Sequence, residues 1–150
     1  MVRSLVAGCA LILCVVTVAA QENAVEERSA LMKTQGNYTY RVLNGMVRGQ
    51  APYDQAKVDD AFAKLAETAA KLPSIFPESS KGKVAANSNY YASDKVWENK
   101  ADVEARIAKL AKDVADLRAK VRSLDSLKAA YPTLNQNCND CHRQYRARKS

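Results

Sequence analysis

The last long segment of the chain, residues 123–146, reads SLDSLKAAYPTLNQNCNDCHRQYR. Its apolar and cysteine residues recur at alternating intervals of three and four, which is the repeat of one face of an α-helix. The residues on this face are Leu124, Leu127, Tyr131, Leu134, Cys138, Cys141 and Tyr145. The segment therefore predicts an amphipathic helix whose apolar face must be covered by other helices.

Residues 138–142 of this segment, CNDCH, have the C-x-x-C-H spacing at which haem is covalently attached. Each thiol can add to one haem vinyl group, and the neighbouring imidazole can coordinate the iron. His142 is the only histidine, and the two other cysteines lie near the N-terminus. A zinc site would need further ligands, a thioredoxin-like motif would follow a strand, and a disulfide would leave His142 unexplained. We expect one haem c, bound through Cys138 and Cys141, with His142 on the iron.

Three further segments have a helical apolar repeat, which is regular in residues 58–72 and 103–121 and looser in residues 28–46. The positions on these faces are Val58, Phe62, Leu65, Ala69 and Leu72; Val103, Ile107, Leu110, Val114, Leu117 and Val121; and Arg28, Met32 or Leu31, Gln35, Tyr38 or Thr39, Val42 and Met46. Four helices with narrow apolar faces cover one another in an antiparallel four-helix bundle. We expect an all-α fold of this kind, with the haem inside and no β-strand.

The connections between these segments support the count of helices. Asp54 follows a Gly- and Pro-containing stretch and is well placed to cap the second helix. Residues 73–93 form a long crossover without a pattern of its own, and loops of this length are often functional or wrap a cofactor. Pro132 lies inside the pattern of the last helix, so we expect it to kink that helix or to set its start.

The N-terminal residues 1–20 have the composition of a secretory signal peptide. A short positive region that includes Arg3 precedes an apolar run from Leu5 to Ala20, and residues 18–20 offer a small-residue cleavage site. The run is shorter than the roughly twenty apolar residues that span a bilayer, so we expect no stable membrane anchor. The mature chain would be a single domain of residues 21–150, and haem attachment after export places it in the periplasm.

The chain is basic, with a formal net charge of +7 that falls to +6 when cleavage removes Arg3. Export argues against a nucleic-acid partner, and the charges alternate in sign along the helices instead of forming one basic stripe. A solvated surface is the ordinary explanation of this charge. The function-related alternative is docking to an acidic redox partner protein.

Over residues 21–150 the chain resembles the cytochrome c′ family, whose fold is a four-helix bundle. The resemblance rests on the motif in residues 138–146, on residues 28–33 (RSALMK) and on Trp97. In this family the first helix supplies the side chain that faces the distal side of the haem, and that position falls on Met32. The order Arg-x-x-x-Met-Lys resembles the low-spin cytochrome c-556 branch, in which methionine is the sixth iron ligand. The competing interpretation is that Met32, like most methionines on an apolar helix face, fills core space.

The resemblance also implies roles for two arginines. Arg28 would pair with a haem propionate, whereas the alternative is an ordinary solvated arginine. Arg146 would lie on the proximal side of the haem, whereas the alternative is a cation favoured by the C-terminal end of a helix. Trp97 is expected to pack in the core or at the haem edge.

These observations predict a periplasmic monohaem c-type cytochrome that carries single electrons with His/Met axial ligation. No nucleophile–base pair, carboxylate dyad or phosphate loop is evident, so no enzyme activity is expected. The main alternative is a five-coordinate cytochrome c′ that binds or scavenges NO or CO, and a weaker one is a scaffold bundle. The resemblance also leaves a homodimer open, because many relatives dimerise.

Overall fold

The structure is a computed structural model that describes residues 24–149. The predicted signal peptide and its cleavage site lie outside the described residues. Among residues 24–149, none of the helices combines the length and the apolar character needed to cross a membrane.

Four long helices form the fold, as the apolar repeats predict. Helix α1 spans residues 24–47, α2 spans Gln55–Lys71, α3 spans Lys100–Lys120 and α4 spans Leu124–Tyr145. Helix α2 packs against α1 and α3, α3 packs against α4, and α4 returns to α1. Short connections join α1 to α2 and α3 to α4, which makes each of these pairs antiparallel neighbours.

Helix α1 is not a uniform α-helix. It is α-helical over residues 24–36, π-helical over Asn37–Leu43 and α-helical again over Asn44–Val47. A π-helix bonds residue i to residue i+5, so each turn holds more residues and the buried face shifts. The buried positions after Arg28 include Leu31, Gln35, Thr39, Leu43 and Met46, so the buried residue is Leu43 where the sequence predicted Val42.

Local capping sets the starts of α2 and α4. The Asp54 carboxylate accepts a hydrogen bond from the backbone N–H of Lys57 at 3.1 Å, which confirms the predicted cap. Ser123 and Ser126 form a reciprocal capping box at the start of α4. The expectation that Pro132 sets the start of this helix was wrong. The helix begins at Leu124, because Ser123 caps its first free N–H groups. Pro132 lies exposed further along the same helix.

The crossover between α2 and α3 contains structure that its sequence did not indicate. Single helical turns occupy Leu72–Ser74, Glu78–Ser80 and Lys95–Glu98, and strand β1 (Tyr90–Ala92) pairs antiparallel with strand β2 (Arg146–Arg148). The expectation of no β-strand was wrong here. Three-residue strands are too short for an alternating pattern, and this pair forms only because the chain end meets the crossover in space.

The buried side chains form two clusters at different levels of the bundle. One lies among α1, α2, α3 and the first half of α4, and the second lies beside the crossover and the end of α4. The first contains Leu43, Met46, Val58, Ala61, Phe62, Leu65, Val114, Val121, Leu127, Ala130 and Leu134. The second contains Leu31, Leu72, Ile75, Ala92, Val96, Trp97, Val103, Ile107 and Tyr145, with Met32 and Cys141 packed against it. Trp97 is thus a core residue.

Replacing Leu134 by Ala should lower the free energy of unfolding by about 2–5 kcal/mol, because Leu134 is 1% exposed and the change leaves a cavity in the first cluster. Denaturant unfolding of the haem-loaded protein measures the change. The exposed neighbour Thr133 provides the control, since Thr133→Ala should alter stability by less than about 0.5 kcal/mol. Equal effects of the two substitutions would contradict the assigned core.

Candidate haem site

A cavity of about 430 Å³ opens between α1, the crossover and the end of α4. Helix α1 contributes Met32 and Tyr40 to its walls, the crossover contributes Phe76, and α4 contributes Cys141 and His142. Other apolar side chains that line it are Val25, Leu72, Val96, Val103 and Ile107. The cavity therefore has the mostly apolar walls and few convergent polar groups of a cofactor pocket.

The three motif residues lie together on the last turns of α4. Cys141 and His142 line the cavity, and Cys138 lies one turn earlier on the same helix. All three are half-buried, and both thiols are unpaired with any other cysteine of the described chain. Burial raises the pKa of both thiols, so each is a neutral thiol at neutral pH.

His142 is held as a neutral imidazole. Burial first, and the nearby positive Arg146 second, lower the pKa of His142 to about 4. A neutral imidazole keeps a lone pair for a metal ion at neutral pH, and this is the form that coordinates haem iron.

Met32 lies on a different helix but lines the same cavity as His142. Its side chain is half-buried and packs at the edge of the second cluster. Met46, on the same helix, is 2% exposed and lies in the first cluster away from the cavity walls. The structure thus separates a methionine that faces the cavity from one that fills the core. The interpretation of Met32 as a ligand stays a prediction.

Arg28 is neither solvated nor free to move. It is 7% exposed, and its Nη1 donates to the Ile75 carbonyl oxygen at 3.1 Å and to Ser80 Oγ at 3.2 Å. Its Nη2 donates to the Lys83 carbonyl oxygen at 3.4 Å, and its guanidinium lies 5.5 Å from the ring centre of Phe76. Burial lowers the pKa of Arg28. The interpretation of a solvated arginine was therefore wrong, and pairing with a propionate stays untested.

Arg146, the first residue of β2, lies on the His142 side of the cavity. Its Nη1 is 3.4 Å from Nδ1 of His142, and its guanidinium stacks 4.5 Å from the ring centre of Tyr90. The structure therefore places Arg146 beside His142, and its proximal position relative to the haem stays a prediction. Arg146 pairs with Ala92 of β1, so it is part of the two-stranded sheet at the end of α4.

Tyr40 was not among the site residues predicted from the sequence. Tyr40 lies in the π-helical part of α1 and lines the cavity, and burial followed by the neighbouring Cys138 raises its pKa. A signal for it was present, because Met32, Gly36 and Tyr40 recur every four residues and all line the cavity. A Cβ added at Gly36 would meet nothing within 4 Å, so this position is open on the cavity side.

Tyr145 anchors the end of α4 next to the motif. Its ring is buried in the second cluster, and its hydroxyl donates to Oδ2 of Asp102 on α3. That hydroxyl first and Arg106 second lower the pKa of Asp102. The contact holds the motif-bearing turns of α4 against α3.

The chemistry of the cavity fits haem c. Two thiols and an imidazole stand on one helix with the required spacing, and a thioether lines the same apolar cavity from another helix. Within the described part of the chain, no group of three or more His, Cys, Asp or Glu side chains could hold a bare metal ion.

Replacing Arg28 by Ala should loosen the crossover and lower stability by about 1.5–3 kcal/mol, because three acceptors lose a charged donor. Amide hydrogen exchange would report faster exchange in residues 75–83. Arg28→Lys should recover only part of the protection, since one ammonium cannot reach all three acceptors. Arg41→Ala removes an exposed arginine from the same helix and should leave these amides unchanged. Equal exchange in the Arg28 and Arg41 variants would contradict this role.

Solved structures of known proteins share this fold. An NMR-validated structural model of oxidised cytochrome c556 from Rhodopseudomonas palustris superposes with a TM-score of 0.74 at 37% identity, covering 85% of this chain and 98% of that one. Cytochrome c′ from the same organism superposes with a TM-score of 0.75 at 33% identity, again covering 85% and 98%.

Sequence comparison gives the same result. Cytochrome c-556 from Rhodopseudomonas palustris is 38% identical over 146 residues, which is 97% of each chain. Cytochrome c-555 from Bradyrhizobium diazoefficiens is also 38% identical over 146 residues, and 97% of each chain is covered. A family model described as Cytochrome C′ matches residues 23–146. With its motif, its cavity and these matches along nearly its whole length, the chain belongs to the cytochrome c′ family.

Proposed function

We propose that the protein is a periplasmic monohaem cytochrome that carries single electrons, with His142 and Met32 as the axial ligands of the iron. As a family member it binds haem c covalently. The observation that carries the proposal is that Met32 of α1 and His142 of α4 line one cavity. Met/His ligation is the arrangement of stable, raised-potential electron carriers.

Each residue of the site has a separate task in this proposal. When bound, haem c supplies an iron that alternates between the ferrous and ferric states. Cys138 and Cys141 hold the group to α4 through thioether bonds, and His142 offers its neutral imidazole. Met32 offers a neutral, soft thioether that favours ferrous iron. The apolar walls exclude water and so help to set the reduction potential.

Export and the absence of an enzymatic role belong to the same proposal. The signal peptide of residues 1–20 would deliver a mature domain of residues 21–150 to the periplasm, where haem is attached. The relatives named above are cytochromes, and the side chains of the cavity serve to hold a cofactor. We therefore assign no enzyme activity. Dimerisation remains an expectation from the family.

A five-coordinate, gas-binding cytochrome c′ is the second candidate. Cytochrome c′ from Rhodopseudomonas palustris superposes as well as cytochrome c556 does, with TM-scores of 0.75 and 0.74, so the fold fits both functions. The two functions differ in one bond. Electron transfer without gas binding needs Met32 on the iron, whereas gas binding needs that coordination position open.

Covalent attachment through Cys138 and Cys141 should keep the haem on the polypeptide during denaturation and organic extraction. The double variant Cys138→Ala/Cys141→Ala should lose the haem and fold poorly, because the group fills an internal cavity. Mass spectrometry and circular dichroism measure these two outcomes. Cys9→Ala/Cys14→Ala, which removes the cysteines of the predicted signal peptide, should leave the haem attached. A haem-free double variant with native stability would falsify the view that haem organises the bundle.

Replacing Met32 by Leu should make the iron high-spin or water-ligated and lower the reduction potential, because leucine fills the space but offers no donor atom. Ferrous Met32→Leu should also bind CO about tenfold or more faster, since each 1.4 kcal/mol of displaced Met–iron bond corresponds to a factor of ten. Visible spectra and stopped-flow CO binding measure these changes.

Met46→Leu is the matched control for this test. The same residue type changes on the same helix but in the first cluster, so the spectrum should stay as in the parent. If the parent is already high-spin and binds CO as fast as Met32→Leu, then Met32 only packs and the gas-binding function is correct.

A further inference from the structure

The mouth of the haem cavity carries the exposed aromatic surface of the described chain. Within residues 24–149, the only large hydrophobic side chains that are exposed are Tyr40 at 42% and Tyr90 at 45%. Both line the cavity, although one lies on α1 and the other on β1. Exposed aromatic side chains gathered at one place on a protein surface point to an interaction site.

The charged side chains of the cavity are all positive. Arg28, Lys33, Lys83 and Arg146 line it, and no Asp or Glu does. Lys33, Lys83 and Arg146 are exposed, and Arg148 continues the positive charge along β2. The two propionates of haem c would offset only part of this charge. The mouth therefore presents a net positive rim around two tyrosines.

The exposed basic side chains at the mouth lack an acidic partner in the described chain, and they line one cavity. Several basic side chains of α2 and α3 pair with acidic ones, as in Lys71 with Glu67 at 3.2 Å and Lys112 with Asp116, whereas Lys120 at the end of α3 is unpaired within the described residues. Among residues 24–149, Lys33, Lys83 and Arg146 have no carboxylate within 4.0 Å.

Acidic residues near the cavity lining include Glu26, Asp102 and Asp140, and all three are engaged. Glu26 accepts a hydrogen bond from the backbone N–H of Ala86 at 2.9 Å, and Asp140 pairs with Arg143. Asp102 and Asp140 are each paired with an arginine, Arg106 and Arg143, so of these three only Glu26 offsets the three positive charges of Lys33, Lys83 and Arg146.

We propose that this mouth, formed by Tyr40, Tyr90, Lys33, Lys83 and Arg146, is the docking face for an acidic redox protein. The inference rests on the proposed electron-carrier function and assigns a place on the surface to its partner. Opposite charges steer two proteins together and raise the association rate, while tyrosine and arginine are favoured at protein interfaces. A partner seated here would contact the opening of the cavity that holds the cofactor.

A protein fits this face better than a membrane does. Surface binding to a bilayer uses a helix with a broad apolar face bearing Trp, Phe or Leu. The mouth instead offers two tyrosines with polar hydroxyls from separate elements, and no exposed large aliphatic side chain accompanies them in the described chain.

The test uses a reduced plant-type [2Fe–2S] ferredoxin, an acidic one-electron donor, as the probe. Stopped-flow mixing with the oxidised cytochrome gives the second-order rate of haem reduction at several ionic strengths. The rate should fall as salt rises. Lys33→Gln/Lys83→Gln should lower it about tenfold at low salt, where electrostatic steering is strongest. Tyr90→Ser should lower it further when added to the lysine changes.

The matched control is Lys120→Gln/Lys128→Gln, which removes the same charge at the end of the bundle away from residues 138–142. A small effect of this control supports the proposal, whereas an effect equal to that of the mouth variant overturns it. A rate independent of salt also overturns it. The proposal is also overturned by a third outcome. In it, the protein binds phosphatidylserine vesicles in a salt-sensitive way, and Lys33→Gln/Lys83→Gln abolishes this binding without changing the rate of haem reduction by ferredoxin.

Failure of the proposed function is visible separately. A high-spin spectrum of the parent before mixing contradicts electron transfer with Met32 ligation. The docking face is judged by the ratio of rates between the mouth variant and the control, and that ratio does not depend on the spin state.

Discussion

Burial of one face of α4 is the constraint on which the rest of the structure depends. The same face carries Leu127 and Leu134 into the first core cluster and brings Cys141 to the second, beside the cavity. A helix that packs in this way cannot rotate without exposing its core residues. The positions of Cys141 and His142 are therefore fixed by apolar packing two to four turns away, which is the rigidity that a cofactor site needs.

The opposite wall of the cavity depends on the change of helix type in α1. The π-helical turns Asn37–Leu43 let Leu43 and Met46 join the core while Met32, Gly36 and Tyr40 line the cavity. The same helix thus contributes both to the first core cluster and to the cavity wall, because the π-helical turns shift which side chains face each of them. Its buried Gln35 and Thr39 side chains each hold a polar atom without a hydrogen-bond partner in the described chain, so the hydrogen bonding of this region is incomplete.

The site is closed by long-range contacts that no sequence pattern predicted. Arg28 ties the crossover to α1, and the pairing of β1 with β2 ties it to the end of α4. Hydrogen bonds from Ser93 N–H to the Tyr145 carbonyl and from Lys149 N–H to the Asn89 carbonyl extend this pairing. Through short helical turns and one short strand, the crossover thereby pairs several of its backbone groups around the cavity.

The sequence by itself determined the four helices, the Asp54 cap and the attachment motif, because these follow from contacts between residues close in the chain. Helical periodicity placed Leu134 in the core, and a five-residue spacing identified Cys138, Cys141 and His142. Only the tertiary structure decided that Met32 faces the cavity while Leu31 and Met46 are core, that Arg28 is bound to the crossover, and that Tyr40 and Tyr90 line one cavity. These outcomes depend on where a π-helical shift and an irregular crossover bring residues more than fifty positions apart, as Arg28 and Ser80 are. Local propensity carries no information about such distant pairs.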